Sequence, residues 1–222
     1  MDEKKIVNTD NTPMWKIIKE NNQSIKLNPE LSEKIFDNKS PLKMFRELYQ
    51  DKENSCNAER IIFPYDENIS LVFEKLSFNE PVKLYSSFWA EMGKNSSCNI
   101  VSKNRIVLRN EGAGEKFFRL YQFLDLEKVT EAAGLMLPDG FDNKGNMGIT
   151  WYSGMYTHGK THVALYCILH DNENYVKYWH VKEKDGIVVE NPEGIPCLEI
   201  CLTDSLLRIK DCKTEETKLF KL

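Results

Sequence analysis

From Arg60 onward, apolar residues recur in short β-prone runs broken by Asn, Asp, Gly or Pro, at 61–65, 70–78, 82–89, 105–109 and 116–123. After a glycine-rich passage they resume at 161–170, 175–182, 187–190, 198–202, 206–210 and 218–222. Consecutive short strands joined by tight turns predict antiparallel pairing. One helix is expected to interrupt them, over 125–134, with an acidic start and Gly134 as its stop. The rhythm upstream is different. Thr12-Pro13, Asn28-Pro29 and Ser40-Pro41 each place a capping residue before a proline that tolerates a first helical turn. Behind them Trp15 and Ile18, Leu31 and Ile35, and Leu42, Phe45, Leu48 and Tyr49 recur at spacings of three and four. The pattern therefore predicts an α+β fold. Short N-terminal helices over 1–58 pack on a predominantly antiparallel β-sheet domain over 59–222, a sandwich or partly open barrel, and the whole forms one folding unit.

Composition narrows the function classes. The 222 residues are 41% hydrophobic and 29% charged, which places the chain among globular proteins. A net charge of −4, with lysines spread among acids, leaves no electrostatic footprint for nucleic acid or anionic lipid. No apolar run is long enough for a membrane span, and residues 1–12 lack the apolar centre of a signal peptide. Cytoplasmic location is the expectation, and it fits the cysteines. Cys56, Cys98, Cys167, Cys197, Cys201 and Cys212 are sparse and irregular for a disulfide framework, with no C-x-x-C pair. Cys197 and Cys201 on one strand face would stand roughly 13 Å apart, too far to bridge. Sequons at Asn22, Asn38, Asn68 and Asn95 are silent without a leader.

Nucleotide and metal motifs are missing. There is no P-loop, H-E-x-x-H or G-x-S-x-G, and the Gly112-Ala113-Gly114 start of a dinucleotide fingerprint fails at Phe117. Residues 139–146 offer calcium-loop oxygens without the spacing, and the closing glutamate position is Thr150. No cofactor and no metal are expected.

One region concentrates chemistry. Gly134, Gly140, Gly145, Gly148, Gly154 and Gly159 mark a long loop that also carries Phe141, Trp151 and Tyr156. All four histidines follow closely, at His158, His162, His170 and His180. Residues 171–174 read as a four-residue turn, so Tyr166 is expected to face Trp179, and His162 to face Glu183, across a hairpin. Val163, Leu165, Cys167 and Leu169 would point to the core, with His180 as a hydrogen-bonded core histidine. The other face, polar and aromatic together, resembles a ligand surface. His162 and His170 share that face but lie roughly 26 Å apart along the strand, which rules out one metal site between them.

These residues support two readings. The first is an intracellular, non-enzymatic binding module that holds a protein or small-molecule partner through Phe141, Trp151, Tyr156, His158, Tyr166 and Trp179. The second is a small Cys-His thiol hydrolase or transferase. The string Thr161-His162-Val163-Ala164-Leu165-Tyr166 resembles the histidine strand of NlpC/P60-type and related papain-fold hydrolases, where a histidine opening a strand orients against a cysteine at a helix start. That resemblance covers six residues and implies His162 as base. Cys56 is the nucleophile in the usual order, or Cys212 in a permuted one. The residues that follow the cysteine in that family are absent.

Overall fold

The computed structural model describes residues 14–18, 23–37, 44–66, 68–92, 97–102, 105–113, 116–124, 129–141, 147–171, 179–183, 186–203 and 206–221; over 86–155 it describes the backbone alone. The described residues form strands and no helix. In chain order these are β1 (Met14–Ile18), β2 (Ser24–Lys26), β3 (Glu30–Asp37), β4 (Met44–Asp51), β5 (Cys56–Pro64), β6 (Ile69–Met92), β7 (Ser97–Ser102) and β8 (Arg105–Ala113). They continue as β9 (Lys116–Leu124), β10 (Val129–Phe141), β11 (Met147–Asp171), β12 (His180–Glu183), β13 (Ile187–Glu190), β14 (Pro196–Leu202), β15 (Leu206–Asp211) and β16 (Thr217–Lys221).

The expected α+β class is therefore corrected to all-β, and the physical reason lies in the prolines. A residue before proline is pushed out of the helical region into extended backbone, and proline is tolerated at a strand's start. Pro29 thus precedes β3, and the stretches behind Thr12-Pro13 and Ser40-Pro41 are β1 and β4. The spacing of four between Leu31 and Ile35, read as helical, fits the two-residue period of a strand as well, and both residues lie in β3, where a bulge falls between Leu31 and Glu33. The helix expected over 125–134 is strand β10 from Val129 on; 125–128 lie outside the described residues.

All pairings are antiparallel. The large sheet runs β3-β4-β5-β6-β11-β9-β8-β7, with β1 on β6, β2 on β1 and β10 on β11. Its spine is the pairing of β6 with β11, which runs from Ile149↔Met92 to Leu169↔Ile69. An irregularity between Gly159 and Thr161 divides this ribbon in two. On one side of it β5 and β9 extend the sheet; on the other β1 and β10 do. The curled half-barrel of the larger sheet faces a five-stranded meander, β12-β13-β14-β15-β16.

Alternation along the strands makes two cores. Ile61, Phe63, Leu71 and Phe73, with Val163, Leu165, Cys167 and Leu169, pack against Val189, Leu198, Ile200, Leu207 and Ile209 of the meander. This is the core face expected from the β11 sequence. Each such side chain contributes about 1.5–3 kcal/mol on burial. On the opposite face of the large sheet, Trp15, Ile17, Leu27, Cys56, Ala58, Leu76, Phe78 and Leu84 form the second core.

The hairpin expected between 161–170 and 175–182 does not form. Tyr166 pairs with Val72 and Gln122, while His180 to Glu183 pair with β13 in the other sheet. Residues 172–178, which hold the rest of the expected turn and the start of its second strand, lie outside the described residues. Likewise the loop expected before 162 is the β10–β11 hairpin, with 142–146, and so part of the calcium-like stretch, outside the described residues. Among the described residues no helix is long and apolar enough to cross a membrane.

Candidate functional site

Two polar clusters flank the irregularity, one on each face of the ribbon. On the outer face, cross-strand pairing aligns Lys16 with Tyr85 and Tyr85 with Tyr156, and aligns Ile18 with Lys83 and Lys83 with His158. Directly opposed residues share a face, so these two rows build one patch. Tyr85 and Tyr156 rings lie 4.8 Å apart, tilted by 39°. Lys83 Nζ stands 4.8 Å from the Tyr156 ring centre, a cation–π contact. Both tyrosines, Lys16 and Lys83 are half-buried, and His158 is exposed. The patch is bordered by strand pairing on both sides, by β1 through Lys16 and by β10, whose Glu131 pairs with Tyr156.

The inner face carries a row of alternating charge across four strands: Lys34, Glu47, Arg60 and Glu74 occupy successive paired positions. Lys34 Nζ lies 3.0 Å from Glu47 Oε1, and Tyr49 donates its hydroxyl to Glu47 Oε2 at 2.7 Å. Burial pushes Glu47 up, but those two partners outweigh it and hold the carboxyl below its ordinary value. The far end of the row is deeper. Glu74 is 0% exposed, with Arg60 Nε 3.3 Å from its Oε1 and the Trp15 indole N–H donating to Oε2 at 2.9 Å. Arg60 Nε and Glu74 Oε1 make no hydrogen bond, so their attraction is purely that of an ion pair. Desolvation dominates here and raises Glu74 to about 7, against the opposing pull of Arg60 and Trp15.

His162 lies on the same inner face and is buried. Its Nε2 sits 2.9 Å from the Gly159 carbonyl, which only accepts, so Nε2 carries the proton. In the neutral ring Nδ1 then accepts from the Thr157 hydroxyl. Phe78 meets the ring edge-on at 5.6 Å. Cys56 pairs across from Phe78, one strand beyond, so the Phe78 strand stands between Cys56 and His162. Burial, and then the charge of Asp51, push the Cys56 thiol up to about 12, the reverse of an activated nucleophile. Cys212 belongs to the β15–β16 turn of the other sheet, where its amide donates to Cys197; burial raises its thiol too. The structure therefore does not assemble His162 with either cysteine.

Among the other sequence candidates, Tyr156 and His158 come together on the outer patch. Tyr166 is fully buried on the inner face, and Trp179 is buried in the core between the sheets. His180, expected in the core, is exposed. Phe141 and Trp151 take strand positions opposite Met147 and Met136, and their side chains lie outside the described residues. Among the described residues no cluster of three or more His, Cys, Asp or Glu is placed to hold a metal. Sequence reasoning does not single out Lys16, Lys83, Tyr85, Arg60 or Glu74. For the buried pair a signal existed: Arg60 and Glu74 are opposite charges at inward-facing positions of two apolar strands.

No family model matches the chain, and no curated protein matches it in sequence. Solved structures do match. The crystal structure of heparinase III superposes on 95% of this chain with a TM-score of 0.58 at 11% identity. A second heparinase III covers 88% at 0.50 and 7% identity, and the heparan sulfate lyase HepC from Pedobacter heparinus covers 91% at 0.50 and 9%. The likeness is one of fold. The chain spans less than a third of the length of these structures, 29%, 28% and 29% respectively.

Proposed function

We propose that this chain is a non-enzymatic binding module whose ligand is a short acidic oligosaccharide, held on the outer patch of the β6–β11 ribbon. The observation that carries the reading is the half-buried Tyr85–Tyr156 pair with Lys83 beside it. A sugar ring presents C–H groups on its flat face, and these pack on an aromatic face, whose quadrupole is negative. Lys83 and Lys16 are then in position to meet a carboxylate or sulfate on the same saccharide. The heparinases and heparan sulfate lyase that share the fold are named for acidic saccharides, which lends support to this ligand class. A cytoplasmic location belongs to the same proposal, supported by the free thiols Cys56, Cys167, Cys197, Cys201 and Cys212.

Titration calorimetry with a panel of acidic and neutral oligosaccharides tests this reading. At least one acidic member is expected to bind, and Tyr156→Ala to weaken it about tenfold or more, the loss of one stacked ring. Rising salt should weaken binding further through the lysines. Absence of binding across the panel, or binding indifferent to Tyr156→Ala, overturns the reading.

A further inference from the structure

Strand β1 is laddered to β6 by its backbone, and one of its side chains also reaches a buried carboxylate of the large sheet. Trp15 lays its indole over Glu74 and donates to a carboxylate that no water reaches. The same strand edges the outer patch, since Lys16 is paired with Tyr85. Whatever governs the docking of β1 therefore also governs Lys16.

The groups that face Glu74 among the described residues are few. Arg60 opposes it on β5, with Glu47 and Tyr49 beyond on β4 and Lys34 behind them on β3. On β11 Ala164 stands directly opposite, flanked along the strand by His162 and Tyr166. On β1 there is Trp15. Arg60 is the cation of this set nearest the carboxylate, and its Nε makes no hydrogen bond. When Trp15 lifts away, water reaches Glu74 and ionisation becomes easy. When it docks, the charge must be carried dry.

We propose that Glu74 is a proton-linked latch for β1: docking the strand over the buried Arg60–Glu74 pair takes up a proton, so rising pH loosens β1 and the Lys16 edge of the patch. The direction follows from reciprocity: if docking makes the carboxyl hold its proton more tightly, protonation must make docking tighter. The raised titration of Glu74 in the docked state agrees with this. The upper end of the window is about 7, where Glu74 titrates in the docked state, and docking is insensitive to pH above it. The latch stands on the fold alone, and rests on the proposed ligand site only for its consequence: acidic saccharide should bind more tightly at pH 5 than at pH 7.5.

The test needs no ligand. Backbone amide exchange of β1 is followed from pH 5 to pH 8, corrected for intrinsic exchange, with amides of the inter-sheet core as reference. Protection of β1 is expected to stay below that of the core and to fall by about ten- to a hundredfold between pH 5 and 7, at most tenfold per unit for one proton. Above pH 7 it should level off, and Glu74→Gln should abolish the slope. Trp15→Phe, which keeps the packing and loses the N–H donor, should retain or steepen it. A flat wild-type profile, an unchanged slope in Glu74→Gln, or β1 exchanging only together with the core overturns the latch. Any of these leaves saccharide binding to be judged separately, by calorimetry.

Discussion

Replacing Glu74 by glutamine removes a buried charge while keeping the shape and an acceptor for the Trp15 indole. The size of the effect follows from the titration of the native carboxyl. Burial raises it from 4.5 to about 7, and each unit is worth about 1.4 kcal/mol, so ionising Glu74 in the folded state costs up to about 3 kcal/mol. The sign is fixed by which state holds the proton. Between pH 4.5 and 7 the folded chain binds a proton that the unfolded chain has already lost. The stability contributed by protonated Glu74 is therefore complete below pH 4.5 and disappears as pH rises through about 7. Glu47 does not confuse the measurement. Its carboxyl sits below the ordinary value, so its contribution is lost only as pH falls toward and below 4.5. Urea unfolding of wild type and Glu74→Gln at half-unit steps from pH 5 to 8 reads the difference directly. The variant is expected to gain steadily on the wild type across pH 5–7, by about 2–3 kcal/mol in total, and then to run parallel with it. A difference that stays constant with pH would refute the reasoning, because it would mean that Glu74 is ionised, or neutral, in both states throughout.

Two further outcomes test other parts of the structure. Gly186, at φ +140°, opens β13, and a Cβ there would stand 2.8 Å from the Ile200 carbonyl oxygen; Gly186→Ala is expected to cost about 2 kcal/mol or more in urea unfolding and to leave the β1 amides untouched. Burial raises Cys56 and Cys167 to about 12, so iodoacetamide at pH 7.5 should leave both unmodified in the folded chain, and His162→Ala should not change that. Rapid labelling of Cys56 or Cys212 that depends on His162 would restore the thiol-enzyme reading.

Much of the fold downstream of Arg60 can be read from the sequence, because there the hydrophobic period and the turn residues agree. The runs 187–190, 198–202 and 206–210 fall within β13, β14 and β15, the run 61–65 overruns the end of β5 by one residue, and Val163, Leu165, Cys167 and Leu169 face the core as their alternation requires. Upstream, two signals compete at each X-Pro step: a capping residue before a helix, and extended backbone forced by the proline ring. Local spacing cannot decide between them. What decides is the pairing partner: β1 lies along β6, more than sixty residues on, and β4 lies between β3 and β5. The alanines of β10 mislead for the same reason, their conformation being set by β11.

The outer patch makes the same point for function. Tyr156 and His158 attract notice as aromatic and histidine residues near glycines, but alone they are two side chains on a strand. They become a surface when β6 places Tyr85 and Lys83 against them from more than seventy residues away, and β1 adds Lys16. Registers of that length are set by the whole ladder, including the irregularity at Gly159 that reverses which residues of β11 face outward. A one-residue change there would leave the inner face of β11 intact on one side of Gly159 and turn Tyr156 inward on the other. The single irregular step thus separates the two chemistries of this sheet. It allows His162 and Thr157, both inward, to share a hydrogen bond while Tyr156 and His158 remain on the outer face.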